Sequence, residues 1–148
     1  MRLTYFTDFG LRALMRMASE PDRSFSTAEL AAEFGISRNH LIKVMQRLAR
    51  GGIIATRRGS GGGVLLARGP AEIRVGDVVR LLEEGQAMVS CFSPREAGCT
   101  LTHCCRLRHR LRAAEAAFLA ELNRSSLADL ALAPEAFAAG SQRPLEPA

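Results

Sequence analysis

The stretch from Ala31 to Leu41, AAEFGISRNHL, constrains this chain most. A small residue, then three others, a glycine, five others and a leucine is the spacing of two helices that cross at a tight turn. Ala31 lets the helices approach, Gly35 accepts the turn, and Leu41 locks the second helix onto the first. The flanks agree. Ser26 or Thr27 is a candidate N-cap for a first helix with Leu30, Ala31 and Phe34 inward. Ser37 is a candidate N-cap for a second helix with Leu41, Val44, Met45 and Leu48 inward. Its other face carries Asn39, Lys43, Gln46, Arg47 and Arg50, and Gly51-Gly52 ends it. A plain helical hairpin has the same spacing, so charge must decide between the two. No carboxylate occurs from Phe34 through Ala71, whereas Arg38, Lys43, Arg47, Arg50, Arg57, Arg58 and Arg68 do. Residues 1–70 carry 11 basic and 5 acidic side chains, against 9 and 10 in residues 71–148. A basic face on a helix-turn-helix points to nucleic acid phosphate.

The surroundings complete a winged helix. Apolar residues recur from Thr4 to Ala18 at helical spacing, with Thr4 or Thr7 as cap and Pro21-Asp22 as stop. Ile53–Thr56 and Gly63–Ala67 read as two strands around Arg57-Arg58-Gly59-Ser60-Gly61-Gly62, a hairpin wing. GSGGG is no nucleotide loop, because no Lys-Ser/Thr follows it and it lies between strands. Its glycines are expected to let the wing lie against a DNA backbone. Val75–Glu84 reads as a further helix, closed by Gly85. The expected fold is therefore mainly α with a small β-hairpin, a winged helix-turn-helix over residues 1–84.

Beyond it, residues 85–105 form a cysteine loop, and Cys105 to Asn123 reads as one long helix. Leu107, Leu111, Ala114, Phe118 and Leu122 recur at steps of 4, 3, 4 and 4, a narrow stripe like a helix-pairing seam. At ~1.5 Å per residue that helix is about 28 Å long, and a second copy is its natural partner. A short helix, SSLADLAL, closes this region at residue 132, and residues 133–148 are expected to be a loose tail. Hydrophobic residues make up 47% of the 148, enough for a buried core. No apolar run approaches the roughly 20 residues of a membrane span, and the N-terminus lacks a signal-peptide pattern. A cytoplasmic protein with reduced thiols is expected.

Every cysteine lies in CFSPREAGCTLTHCC, as Cys91-x7-Cys99-x4-Cys104-Cys105. Zinc knuckles use shorter first spacings, and adjacent cysteines rarely face one metal together. Three separated thiolates in a loop with glycine and proline can wrap a larger iron–sulfur cluster, for which soft sulfur donors are suited. Spacing leaves three readings open: a cluster, a zinc site, or thiol-based redox sensing.

LTYFTDFGLRAL, GISRNHLIKVMQRLARGG, RRGSGGGVLLA, IRVGDVVRLLE, the three-cysteine loop and CRLRHRL together resemble the iron–sulfur winged-helix repressors, typified by NsrR, IscR and RirA. The resemblance runs from Met1 to about Leu132. TDFGLRAL with SRNHLIKV is most similar to the nitric-oxide-sensing NsrR branch. The resemblance implies Cys91, Cys99 and Cys105 as cluster ligands, with Cys104 outside the pattern. It implies a fourth ligand at Asp8, reaching over from the other subunit. An IscR-like protein would use a histidine three residues after the last cysteine. Here that residue is Arg108, and His103 and His109 are off-register. A four-iron–four-sulfur cluster is favoured over a two-iron–two-sulfur one. The seven-residue gap between the first two cysteines is shared with RirA, so an iron-responsive repressor stands as the alternative, beside a cluster-free thiol regulator. Asp8 also has a simpler role available, as a negative charge near a helix N-terminus.

An enzyme is not expected: the chain offers no Ser/His/Asp set, no dinucleotide fingerprint and no second cluster set. The expected partners are a palindromic DNA operator, a second copy of the chain, and nitric oxide as signal. Arg38, Asn39 and His40, at the start of the second helix, are the candidates for base edges. Lys43, Arg47, Arg57, Arg58 and the Thr27 hydroxyl are the candidates for phosphate.

Overall fold

The computed structural model describes residues 2–59, 62–93, 99, 101 and 104–140, with residues 138–140 described in backbone only. Helix α1 (Tyr5–Ser19) starts where the Thr4 hydroxyl accepts a hydrogen bond from the Thr7 amide, so Thr4 is the cap. Helix α2 (Thr27–Glu33) starts on Ser26, whose hydroxyl accepts from the Glu29 amide at 3.0 Å. Gly35, at φ +62°, makes the turn that a side chain would strain. Helix α3 (Arg38–Arg50) follows. The expected Ser37 cap is not made by its hydroxyl; only the Ser37 carbonyl enters the helix, accepting from Leu41 at 3.0 Å.

Strands β1 (Ile54–Arg57) and β2 (Gly63–Leu66) pair antiparallel, with Ile54 opposite Leu66 and Arg57 opposite Gly63. Phe25 adds a rung: its backbone exchanges two 2.8 Å hydrogen bonds with Val64, tying the α1–α2 connection to the wing. That rung explains Gly63. A Cβ there would sit 2.4 Å from the Phe25 carbonyl oxygen, and one at Gly62 would sit 2.5 Å from that of Arg57. These two glycines serve close approach within the chain. Ser60 and Gly61 lie outside the described residues.

Helix α4 (Val75–Leu82) crosses beneath α1 and α3, and helix α5 (Arg106–Leu122) lies along α4. Phe25, Leu14, Met17, Leu30, Leu41, Leu48, Ile73 and Leu127 are all below 2% exposed and form one core. Burying each contributes about 1.5–3 kcal/mol before entropy is subtracted. Leu127 shows that the chain returns to this core after α5. The Leu127 amide donates to the Ile73 carbonyl at 2.8 Å, and Val75 donates to Ser125 at 3.1 Å. The short helix expected in SSLADLAL is a single 3-10 turn, Ala128–Leu130, because Asp129 turns back to accept from the Ser126 amide and hydroxyl.

The tail expected to be loose from residue 133 instead forms helix α6 (Pro134–Gly140). Its Phe137 meets Phe34 edge-on, with centroids 6.3 Å apart, and covers the Arg16 guanidinium at 5.2 Å. Arg16 is buried, stacks on Phe25 from 4.8 Å, and pairs with Glu20 and Glu33. The Glu20 carboxyl is held below the usual carboxylate range, first by its hydrogen bond from Arg16. One phenylalanine in an Ala/Pro-rich stretch thus finds an aromatic-cationic seat that composition does not reveal. Residues 141–148 of that tail lie outside the described residues.

Candidate DNA-reading face and cysteine arm

Helix α3 turns its apolar stripe inward, with Leu41, Val44, Met45 and Leu48 buried. By helical geometry the opposite face must then be solvent-side, and Arg38, Asn39, His40, Lys43, Gln46 and Arg50 are all exposed there. Arg57 at the end of β1 and Arg58 beyond it are exposed on the wing. Thr27 is half-buried at the first position of α2. Arg47 differs from the others. Its guanidinium donates to the Glu84 carboxylate at 2.7 Å and to the Leu81 carbonyl at 3.4 Å, so its charge is already engaged within the chain.

A small cleft between α1 and α3 is lined by Tyr5, Phe6, Phe9, Val44, His40 and Lys43. Tyr5 is 70% exposed there, stacked at a tilt on Phe9 with centroids 6.1 Å apart. The N-terminal turn of α1 therefore abuts the reading face. The helical period of α1 gave Tyr5 and Phe9 no role, so this was missed in the sequence.

Asp8 lies in that same first turn of α1. It is partly exposed and held by Arg12 through two contacts, Nη2–Oδ2 at 2.8 Å and Nε–Oδ1 at 3.2 Å. Any role for Asp8 as an iron ligand requires Arg12 to yield it.

The arm begins at Gly85, whose φ of +87° lets the chain reverse out of α4. Cys91 is half-buried in a 3-10 turn (Ser90–Phe92), Cys99 and Cys104 are exposed, and Cys105 is half-buried. Cys91, Cys104 and Cys105 are free thiols. Cys105 caps α5: its sulfur accepts from the Arg108 amide at 3.3 Å. Sulfur in that position lies at the positive end of the helix dipole. The Arg112 guanidinium lies 5.3 Å over the Phe92 ring, tying the residue after Cys91 to the same helix. Cys104 leans instead on the Leu101 carbonyl, at 3.8 Å. In donor type and accessibility Cys91, Cys99 and Cys105 suit a thiolate-held cluster. Among the described residues, however, no three His, Cys, Asp or Glu side chains converge as a metal-holding group. Residues 94–98, 100, 102 and 103 of the loop, His103 included, lie outside the described residues. His109 is exposed on α5.

A helix-turn-helix with a basic outer face and a two-stranded wing defines the class: a winged-helix DNA-binding protein. Residues 3–133 match the Rrf2 family model, described as an iron-dependent transcriptional regulator, and the chain belongs to that family. It is a DNA-binding transcriptional regulator. Among solved structures it is similar to IscR of T. potens, 22% identical over 99% of this chain and 94% of that one, with a TM-score of 0.67. It is similar to CymR, the global cysteine regulator of B. subtilis, 23% identical over 88% and 96%, at 0.65. The oxidized form of Staphylococcus aureus CymR is 26% identical over 88% and 96%, also at 0.65. The first two likenesses speak for the fold alone. Helix α6 falls beyond the family match. No helix among the described residues is long and apolar enough to cross a membrane.

Proposed function

We propose that the chain is a homodimeric repressor that reads a palindromic operator and holds an iron–sulfur cluster on Cys91, Cys99 and Cys105, with Asp8 of a second copy as fourth ligand and nitric oxide as the signal. One observation supports this reading: the three cysteines sit on an arm outside the buried core, with the Cys105 sulfur fixed at the start of α5. When bound, such a cluster supplies iron open to a small diatomic where a weak carboxylate ligand holds it. The chain's own residues do the rest. Arg38, Asn39 and His40 face base edges; Lys43, Arg57, Arg58 and Thr27 face phosphate. Helix α5 brings two heads together, and two-fold symmetry then sets two half-sites about one helical turn apart. Release by about 100-fold needs only ~2.7 kcal/mol of coupling between arm and head.

The test is anaerobic purification of four single variants. Cys91→Ala, Cys99→Ala and Cys105→Ala should be colourless, and Cys104→Ala should keep the wild-type visible spectrum. Colour lost in Cys104→Ala and retained in Cys105→Ala would put the ligand register wrong. A second reading has its own support: the thiols are accessible and do not converge, and CymR neighbours share the fold. A cluster-free thiol regulator predicts a colourless wild type whose operator affinity follows thiol oxidation. An iron-responsive repressor predicts release by chelator instead of nitric oxide.

A further inference from the structure

Four consecutive residues, the last two of α4 and the two that follow them, grip two different helices. Leu81 lies against the end of α3, where a Cβ on Gly51 would come within 2.2 Å of its Cδ2. Leu82 lies against α1, where a Cβ on Gly10 would come within 2.6 Å of its Cδ1. Glu83 closes the start of α1. Its Oε1 accepts from the Thr4 amide at 2.8 Å, from the Thr4 hydroxyl at 2.9 Å, and from the buried Thr7 hydroxyl. Glu84 holds α3 through Arg47, at 2.7 Å. Leu81 and Glu84 thus reach α3, while the two residues between them reach α1. The next residue is Gly85, where the cysteine arm departs.

We propose that the C-terminal end of α4 and the turn that follows it, Leu81 to Glu84, are the joint through which the state of the cysteine arm sets the position of the recognition helix α3. This rests on the reading of the arm as the sensor. The placement is specific. Any twist of the chain at Gly85 acts first on Glu84 and Glu83, which carry charged hydrogen bonds to α3 and to the α1 turn that bears Asp8. Charge-assisted bonds are the strong ones, and they fix direction as well as distance. Glu83 also places a carboxylate at the start of α1, where the dipole favours it. Neither glutamate touches DNA in this account, so both are positioning residues. Arg47 is the partner of Glu84, which is why its guanidinium is drawn off the phosphate-facing side.

Coupling is reciprocal: if the arm moves the head, operator binding must alter the arm. Hydrogen exchange on the full-length protein, prepared anaerobically with and without operator, reads this directly. Operator should slow amide exchange in residues 85–92 of wild type by about 5- to 150-fold, the usual span of such coupling. Glu84→Gln should remove most of that change. Glu84 is 72% exposed and its ion pair is worth little to stability, so the midpoint should stay within about 2 °C. Glu83→Gln should remove the change as well. Affinity alone would mislead, because freeing Arg47 gives it to phosphate. The same operator-dependent slowing in both variants, or none in wild type, overturns the joint. Colourless or nitric-oxide-blind protein that keeps this coupling, and loses it in the variants, sinks the proposed signal and upholds the joint.

Discussion

The DNA-reading head and the cysteine arm are built to opposite standards of completeness. The head closes its own core: Phe25, Leu14 and Leu41 lie at 0% exposure, and the chain returns after α5 to add Leu127. The arm closes nothing. Helix α5 runs 17 residues without one buried, and Leu107 is 64% exposed. It is held to the head at α4: a Cβ on Gly76 would sit 2.3 Å from the Leu119 carbonyl oxygen, and the Asn123 side chain accepts from the Asp77 amide at 3.0 Å and donates to the Asp77 carboxylate at 3.1 Å. Isolated helices of this length are marginal in water. A finished head beside an unfinished arm indicates where binding energy from outside the chain can act. It can change the arm without unfolding the head.

The largest expected break in this contrast comes at the arm's seam. If a second copy completes it, Leu111→Asp and Phe118→Asp should each give monomers in sedimentation. Operator affinity should then fall on the order of 100-fold or more, since two linked half-site contacts become one. A monomeric wild type at micromolar concentration would remove the basis for this. Next comes the same substitution placed in each region. Leu14→Ala should cost about 2–5 kcal/mol in denaturant unfolding of the head, because it leaves a cavity in a closed core. Leu107→Ala should stay within roughly 0.5 kcal/mol for that same transition. Equal costs would mean that arm and head unfold as one unit.

Two smaller effects sharpen the head itself. Asn39→Ala should cost about 1–3 kcal/mol on the operator and relax one base position. Equal losses on operator and random DNA would argue against base readout. Arg57→Ala and Arg58→Ala should weaken all DNA alike and each lower the salt slope by roughly 1. Arg47→Ala should lower it by less, because Glu84 already neutralises that guanidinium. A full unit of slope from Arg47 would show that the ion pair opens on DNA.

How much was legible follows the same division. Ala31-x3-Gly35-x5-Leu41 and the apolar periods located α1 to α5 and both strands to within a residue or two. Those signals are local, and the head's core obeys them. What escaped was non-local. Glu83 and Glu84 read as a charged helix end, yet one caps α1 from 76 and 79 residues away and the other neutralises Arg47. Phe137 read as part of a loose tail, because its seat on Arg16 and Phe34 is assembled from two distant helices. Asp8 was legible as a candidate ligand, but its engagement with Arg12 was not weighed, although an i, i+4 pair on a helix announces itself. The cysteine spacing left a cluster, a zinc site and thiol sensing open, and residues 94–98, 100, 102 and 103 of that loop lie outside the described residues.

The central claim, that the arm governs the head's grip on DNA in response to nitric oxide, is tested most directly by one anaerobic titration. Operator-bound protein is treated with nitric oxide and, separately, with an iron chelator, while visible absorbance and DNA release are followed together. The account predicts that a few equivalents of nitric oxide bleach the spectrum and release DNA in step, by about 100-fold in affinity. Release by chelator with indifference to nitric oxide, or a colourless protein that binds and releases DNA with thiol oxidation alone, would contradict it.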